Sequence, residues 1–219
     1  MFFHQHPYNP FIQEDTTTLI VGTLPPPRFS TGELIEGDVD FCYGSYYNSL
    51  WLYIDKIHQL NLRFDHSQEA ITQRKSFLIA HKIGVCDIVE SCEREKIDAS
   101  DLGMQNVVLR DLLGYLKRFD SIHTILFMGG NSKNGPEYFF RKHIKLHQIS
   151  LCILSNEIPK IHEFEIPESG RIIKTVSLTS PSGAANRAIG SIPLYKELKT
   201  KNPKFSTFDF RILQYQEYL

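Results

Sequence analysis

Four short segments of this chain carry residue types suited to binding or activating a small polar group. Leu178-Thr179-Ser180-Pro181-Ser182-Gly183-Ala184-Ala185-Asn186-Arg187 ends the apolar run 172–178 and continues into a small polar loop. A loop of Ser, Pro, Gly, Ala and Asn can lie close to another backbone, where its free amides and hydroxyls can hydrogen-bond a phosphodiester. Gly22-Thr23-Leu24-Pro25-Pro26-Pro27-Arg28 comes directly after a second apolar run. Glycine permits a tight turn and the three prolines stiffen the loop beyond it, which suits either a rigid connection or the unyielding wall of a ligand pocket. The stretch 41–51 packs aromatic residues around the polar Asn48. Asparagine is among the best helix N-caps, and Ser49 competes for that role. Asn48 could instead position a water or read a base edge with its amide, and Tyr43 could stack on a planar base. Asp87 lies near the end of a third apolar run. Its carboxylate could hold a water or an amine, or pair with Arg94.

Other groupings carry less. His4-Gln5-His6 looks like a metal pair but lacks a matching carboxylate motif, so it reads as a tail. Cys42, Cys86, Cys92 and Cys152 are widely spaced, without a paired metal-ligand pattern, and none is framed by the glycines of a nucleophile elbow. Reduced thiols and a cytoplasmic location are expected.

These segments need a scaffold, and the periodicity supplies one. Apolar, β-rich runs at 17–21, 83–89, 124–128 and 172–178 show little alternation, the pattern of strands buried on both faces. Helical spacing fills 49–60 and 108–119, and Pro136 opens a further helix over 136–143. The alternation predicts an α/β fold: a three-layer α/β/α arrangement around a central, mostly parallel four-stranded sheet. Ligands of such sheets gather at the carboxyl ends of the strands. That rule selects the loops 22–28, 87–98, 129–135 and 179–187. Residues 147–154 could form a further strand, and 145–172 reads as an inserted arm packed on a single domain spanning 1–219.

A chain of 219 residues can bury a sizeable core. No apolar run is long enough to cross a bilayer, and the N-terminus lacks a basic segment followed by an apolar one, so neither a membrane partner nor secretion is expected. The formal charge of −1 hides an asymmetry: residues 1–109 hold 8 Lys/Arg against 15 Asp/Glu, and residues 110–219 hold 16 against 10. The basic second half could face phosphates, or be a solvated surface with scattered lysines.

In order and spacing, a set of blocks resembles the uracil-DNA glycosylase superfamily, most closely its mismatch-specific, thymine-DNA and hypoxanthine-DNA glycosylase branches. The blocks are His6-Pro7-Tyr8-Asn9-Pro10-Phe11, Leu19-Ile20-Val21-Gly22-Thr23-Leu24-Pro25, Tyr43-Gly44 and Asn48-Ser49-Leu50-Trp51. They continue with Gly84-Val85-Cys86-Asp87-Ile88-Val89, Ser91-Cys92-Glu93-Arg94, Asp98, Ser180-Pro181-Ser182-Gly183 and Asn186-Arg187. The resemblance implies a monomeric enzyme of base-excision repair. It would flip a deaminated base, uracil or hypoxanthine, out of DNA and hydrolyse its N-glycosidic bond without metal or cofactor.

By the same resemblance, Gly22, Thr23, Leu24 and Pro25 lie beside the sugar and Tyr43 forms the platform under the base. Ser180, Pro181, Ser182, Gly183, Asn186 and Arg187 press into the minor groove and hold phosphates. Two positions depart from the family pattern. Most branches have Asp or Asn where this chain has Leu24, and several have a histidine at the place of Leu178; leucine can neither orient water nor donate to a leaving base. Asn48 is the preferred catalytic replacement and Asp87 the second. Two other readings stay open: a catalytically silent relative that binds damaged or mismatched DNA, and an unrelated α/β nucleotide-binding enzyme.

Overall fold

The computed structural model, which describes residues 1–219, places the apolar runs in two sheets. The chain begins with β1 (Phe2–Gln5) and β2 (Thr18–Val21), then helices α1 (Pro27–Thr31), α2 (Leu50–His58) and α3 (Gln68–Ala80). Strands β3 (Ile83–Val85), β4 (Val89–Arg94) and β5 (Gln105–Leu109) lead to α4 (Leu112–Arg118), β6 (Thr124–Phe127) and α5 (Pro136–Lys145). Strands β7 (Cys152–Ser155), β8 (Lys160–Ile166) and β9 (Arg171–Ser177) precede α6 (Asn186–Ser191), α7 (Pro193–Lys201) and α8 (Thr207–Tyr215).

The fold is α/β. Strands β3, β2, β6 and β9 lie side by side in parallel, and β8 and β7 continue the sheet antiparallel beyond β9. Ile20, Leu126 and Val176 stand in register on one face and pack with Leu50, Trp51 and Ile54 of α2, Leu78 of α3 and Tyr215 of α8. Leu19, Val21, Ile125, Phe127 and Ile173 point the other way, onto Leu112, Leu113 and Leu116 of α4 and Phe139 and Phe140 of α5. Helices therefore cover both faces, which is why the central strands read as continuous apolar runs rather than alternating ones.

Four expectations from sequence need correction. The run 83–89 is not one strand: β3 stops at Val85, and the chain crosses into a second, three-stranded antiparallel sheet ordered β1-β4-β5. The crossing residues hydrogen-bond the end of β2, with Cys86 N–H donating to Ile20 O and Ile88 N–H to Gly22 O. His4 and His6 are not a loose tail; β1 pairs with β4 and both imidazoles are buried. The helix expected over 108–119 starts at Leu112, where the Asp111 carboxylate accepts from Gly114 N–H, while Val108 and Leu109 belong to β5. Finally, 145–172 is not an arm lying on the domain. His147 comes after α5 in a turn, and β7 and β8 widen the sheet to six strands. The alternation in β8 places His162, Phe164 and Ile166 inside and Glu165 outside, while Lys160, on the buried residues' face, is exposed at the start of the strand. No helix is long and apolar enough to cross a membrane.

Leu126 is fully buried on the central parallel strand. Leu126→Ala is expected to lower unfolding free energy by about 2–5 kcal/mol in denaturant titration, the cost of the lost side chain plus the cavity. A loss well under 1 kcal/mol would contradict tight packing of this face.

Candidate functional site

At the carboxyl edge of the parallel strands lies a cleft of about 180 Å³. Gly22, Thr23, Leu24 and Pro25 line it, together with Tyr43, Asn48, Asp87, Ser180, Pro181 and Ser182. The structure therefore gathers residues separated by more than a hundred positions in sequence. Gly183, Asn186 and Arg187 do not line the cleft; they are exposed on the continuation of the 179–187 loop.

Asp87 organises the floor. Its Oδ1 accepts from Gly22 N–H at 3.0 Å and from the Tyr43 hydroxyl at 2.8 Å, and its Oδ2 lies 3.0 Å from His6 Nε2. The Tyr8 amide donates to His6 Nδ1 at 3.1 Å, which assigns the ring proton to Nε2 and makes His6 the donor to Asp87. Burial alone would raise the Asp87 pKa, but the hydrogen bonds from His6 and Tyr43 and the Arg110 charge hold the carboxyl below its ordinary value. Burial, then the charge and hydrogen bond of Asp87, push the Tyr43 phenol well above its usual range, so it stays a neutral donor. Tyr43 sits at φ +58°, and Gly22 leaves it room: a Cβ on Gly22 would lie 2.3 Å from the Tyr43 hydroxyl and 2.8 Å from Asp87 Oδ1. The Asp87–Arg94 pairing open from sequence is not formed. Arg94 instead donates to His4 Nδ1 and to Ser100 O.

Asn48 takes the capping contact and lines the cleft as well. Its Oδ1 accepts from Leu50 N–H at 3.0 Å, at the start of α2, while Ser49 lends no side-chain cap. The Asn48 backbone bridges to Ser182, and Ser49 N–H donates to Pro181 O, so the start of α2 is sewn to the 179–187 loop. With Oδ1 engaged, the group that Asn48 has left to offer is its NH2, for which the protein supplies no acceptor.

The far side of that loop is braced by α8, which sequence reasoning missed. Buried Arg211 donates to Ser180 O, Ser182 O and Asn186 Oδ1. Gln214 Oε1 accepts from the Thr179 amide and hydroxyl, and the Tyr215 hydroxyl donates to Thr179 O. The helix itself was readable from its capping box, Ser206 with Asp209, but nothing in the local sequence shows that it reaches the loop.

Leu24 packs against the core cluster on the α4 and α5 side, and Leu178 is buried at the end of β9, so neither place supplies a polar group. A second carboxylate in the cleft was also missed. Asp101, on a 3₁₀ turn at 101–103 between β4 and β5, accepts a 2.8 Å hydrogen bond from the Thr23 hydroxyl. Burial, helped by the Asp87 charge, pushes its pKa up to about 6 against the Thr23 hydrogen bond and Arg94, which act to lower it. No three His, Cys, Asp or Glu side chains converge as a metal-binding group.

No family model matches the chain, and no curated protein matches it significantly. Among solved structures, it is similar to the solution NMR structure described as a putative uracil DNA glycosylase from Methanosarcina acetivorans. The TM-score is 0.54 at 16% identity, over 96% of this chain and 99% of that one. At that identity the likeness is one of fold.

Asp87→Asn removes the anion from three donors and is expected to cost about 1–3 kcal/mol of stability at neutral pH. Because the folded carboxyl titrates below its unfolded value, this contribution is present above about pH 4 and fades as pH falls through the folded pKa. Denaturation of both proteins from pH 7 to pH 3 checks this; a stability gap that widens on acidification would contradict it.

Proposed function

We propose that this protein is a monofunctional DNA glycosylase of the uracil-DNA glycosylase superfamily, acting as a one-domain monomer on uracil or hypoxanthine in DNA. The observation that carries the reading is the meeting of the ordered sequence blocks in one cleft: the first-loop residues, Tyr43, Asn48, Asp87 and the Ser180 loop all border it. The description of the structural neighbour as a putative uracil DNA glycosylase supports it. The cleft, about 180 Å³, is smaller than the ~300–1,000 Å³ of typical ligand sites, which favours a single flipped base over a whole nucleotide cofactor. Its lining contains no lysine, so no amine stands ready to form an imine with the sugar, and hydrolysis by water is the fitting route.

In this reading the duplex surrenders its damaged nucleotide because mispaired or deaminated bases unstack at lower cost. Tyr43, pinned by Asp87, is the face on which the base rests. Ser180, Pro181 and Ser182, held rigid by Arg211, form the wedge that keeps the nucleotide out, and exposed Arg187 meets a phosphate or fills the gap in the stack. Cleavage leaves positive charge on the sugar and negative charge on the departing base. The Asn48 NH2 is the donor that stabilises the base as it leaves, since Oδ1 is committed to Leu50 N–H. Asp87, with three donors on its two oxygens, is a positioning residue rather than the group that handles water. No metal or cofactor enters the scheme.

One observation favours a second reading, a silent binder of damaged DNA: both Leu24 and Leu178 are apolar where polar groups would assist cleavage. A single-turnover assay on duplexes carrying uracil, hypoxanthine, xanthine or mismatched thymine, followed by alkaline cleavage at abasic sites, separates the two. The glycosylase reading expects strand scission on at least one deaminated duplex. It also expects a loss of about 100-fold or more in Asn48→Ala, the usual scale for one donor to a developing anion. Intact strands with persistent, salt-sensitive lesion binding would favour the silent binder.

A further inference from the structure

Hydrolysis needs an acceptor to orient and deprotonate water, and three of the residues bordering the cleft supply none. Leu24 is apolar, the oxygens of Asp87 are occupied, and the Asn48 oxygen is tied to the start of α2. Asp101 remains. Its Oδ1 takes the Thr23 hydroxyl, whereas Oδ2 meets no protein donor and is open to solvent, on a residue that lines the cleft. Asp101 and Asn48 both border the cleft. Asp101 also lines the neighbouring groove along 129–135, and Asn48 lines the one beside Tyr46.

The turn that carries Asp101 is fixed from two sides. Asn134 Nδ2 donates to Asp101 O at 2.9 Å and to Met104 O, and Met104 N–H donates back to Asp101 O. Thr23 adjoins Gly22, whose amide is held by Asp87, so the hydroxyl that grips Asp101 is itself placed by the floor of the site.

Resting on the glycosylase reading, we propose that Asp101 is the catalytic base of this site: its free Oδ2 orients the attacking water and takes its proton. As the water oxygen bonds the sugar C1′, the C1′–N bond breaks and its electron pair leaves with the base. One water proton passes to Asp101 and thence to solvent, and the base anion gains a proton from solvent, so one water is added across the bond. The groups facing Asp101 are Thr23 from the loop after β2, Asp87 after β3, and Arg94 and Cys92 from β4. Asp98 lies on the same connection, Asn134 holds the Asp101 backbone carbonyl from the loop before α5, and Lys160 of β8 borders the groove that Asp101 also lines. Burial, with the Asp87 charge, outweighs the Thr23 hydrogen bond and Arg94 and leaves the carboxyl at about 6, close to where a general base is most effective.

The test is the single-turnover rate of wild type and Asp101→Asn between pH 5 and pH 8, with binding to a duplex bearing an uncleavable 2′-fluoro lesion nucleotide. The expected wild-type rate falls as pH drops through about 6 and is level above it. Asp101→Asn is expected to lose about 100-fold or more in rate and to lose that acid limb, while analogue binding is unchanged. A variant that cuts at the wild-type rate with the same acid limb overturns the proposal. Should the variant not fold, the wild-type profile decides: a rate flat from pH 5 to pH 8 excludes a base titrating near 6. Wild type that releases no base from any deaminated duplex overturns the glycosylase reading itself, an outcome distinct from active wild type with an unaffected variant.

Discussion

The Asp87 carboxylate is the joint on which the rest of the site depends. It stands where the chain leaves the parallel sheet for the small antiparallel one, and its donors come from three separate stretches: His6 after β1, Gly22 after β2, and Tyr43 before α2. A buried carboxylate is costly unless its charge is met by donors, and here two oxygens meet three. That requirement fixes the close approach of Tyr43 to the first loop, which only the absence of a side chain on Gly22 permits. It also explains why β1 is part of the fold, since pairing with β4 delivers His6 to the same point.

Rigidity on the other wall comes from a different device. Carbonyls of the 179–187 loop and the Asn186 side chain are gripped by Arg211 and Tyr215 of α8, the Thr179 amide donates to Gln214, and Pro181 and Ser182 are tied to the start of α2. Two polar frames, one centred on an acid and one on an arginine, thus hold the two sides of a small cleft. Between them lie the groups with unspent capacity, the Asn48 NH2 and one oxygen of Asp101.

Much of the scaffold was legible because parallel strands buried on both faces leave an unmistakable mark, and the carboxyl-edge rule then selected loops that do converge. What stayed hidden depended on contacts far apart in sequence. Nothing local in Phe2-Phe3-His4-Gln5 announces a strand, because its partner, β4, begins more than eighty residues later. The run at 83–89 read as one strand since Val85 and Ile88 are equally apolar; only the hydrogen bonds to β2 reveal the crossing. Asp101 escaped notice for a like reason. It sits in the polar stretch Lys96-Ile97-Asp98-Ala99-Ser100-Asp101, which looks like solvated loop until Thr23 is seen to hold it. By contrast Asn48 was ambiguous between cap and catalyst, and the structure shows that the cap takes only its Oδ1 and leaves its NH2 without a protein acceptor.

Hydrolysis of a glycosidic bond in DNA by this cleft is tested most directly by chromatographic measurement of free base together with counting of abasic sites, after incubation with duplex containing uracil or hypoxanthine. One free base is expected for every abasic site, with the strand intact until alkali is added. Neither base nor abasic sites in excess of protein-free controls, across both duplexes, would contradict it.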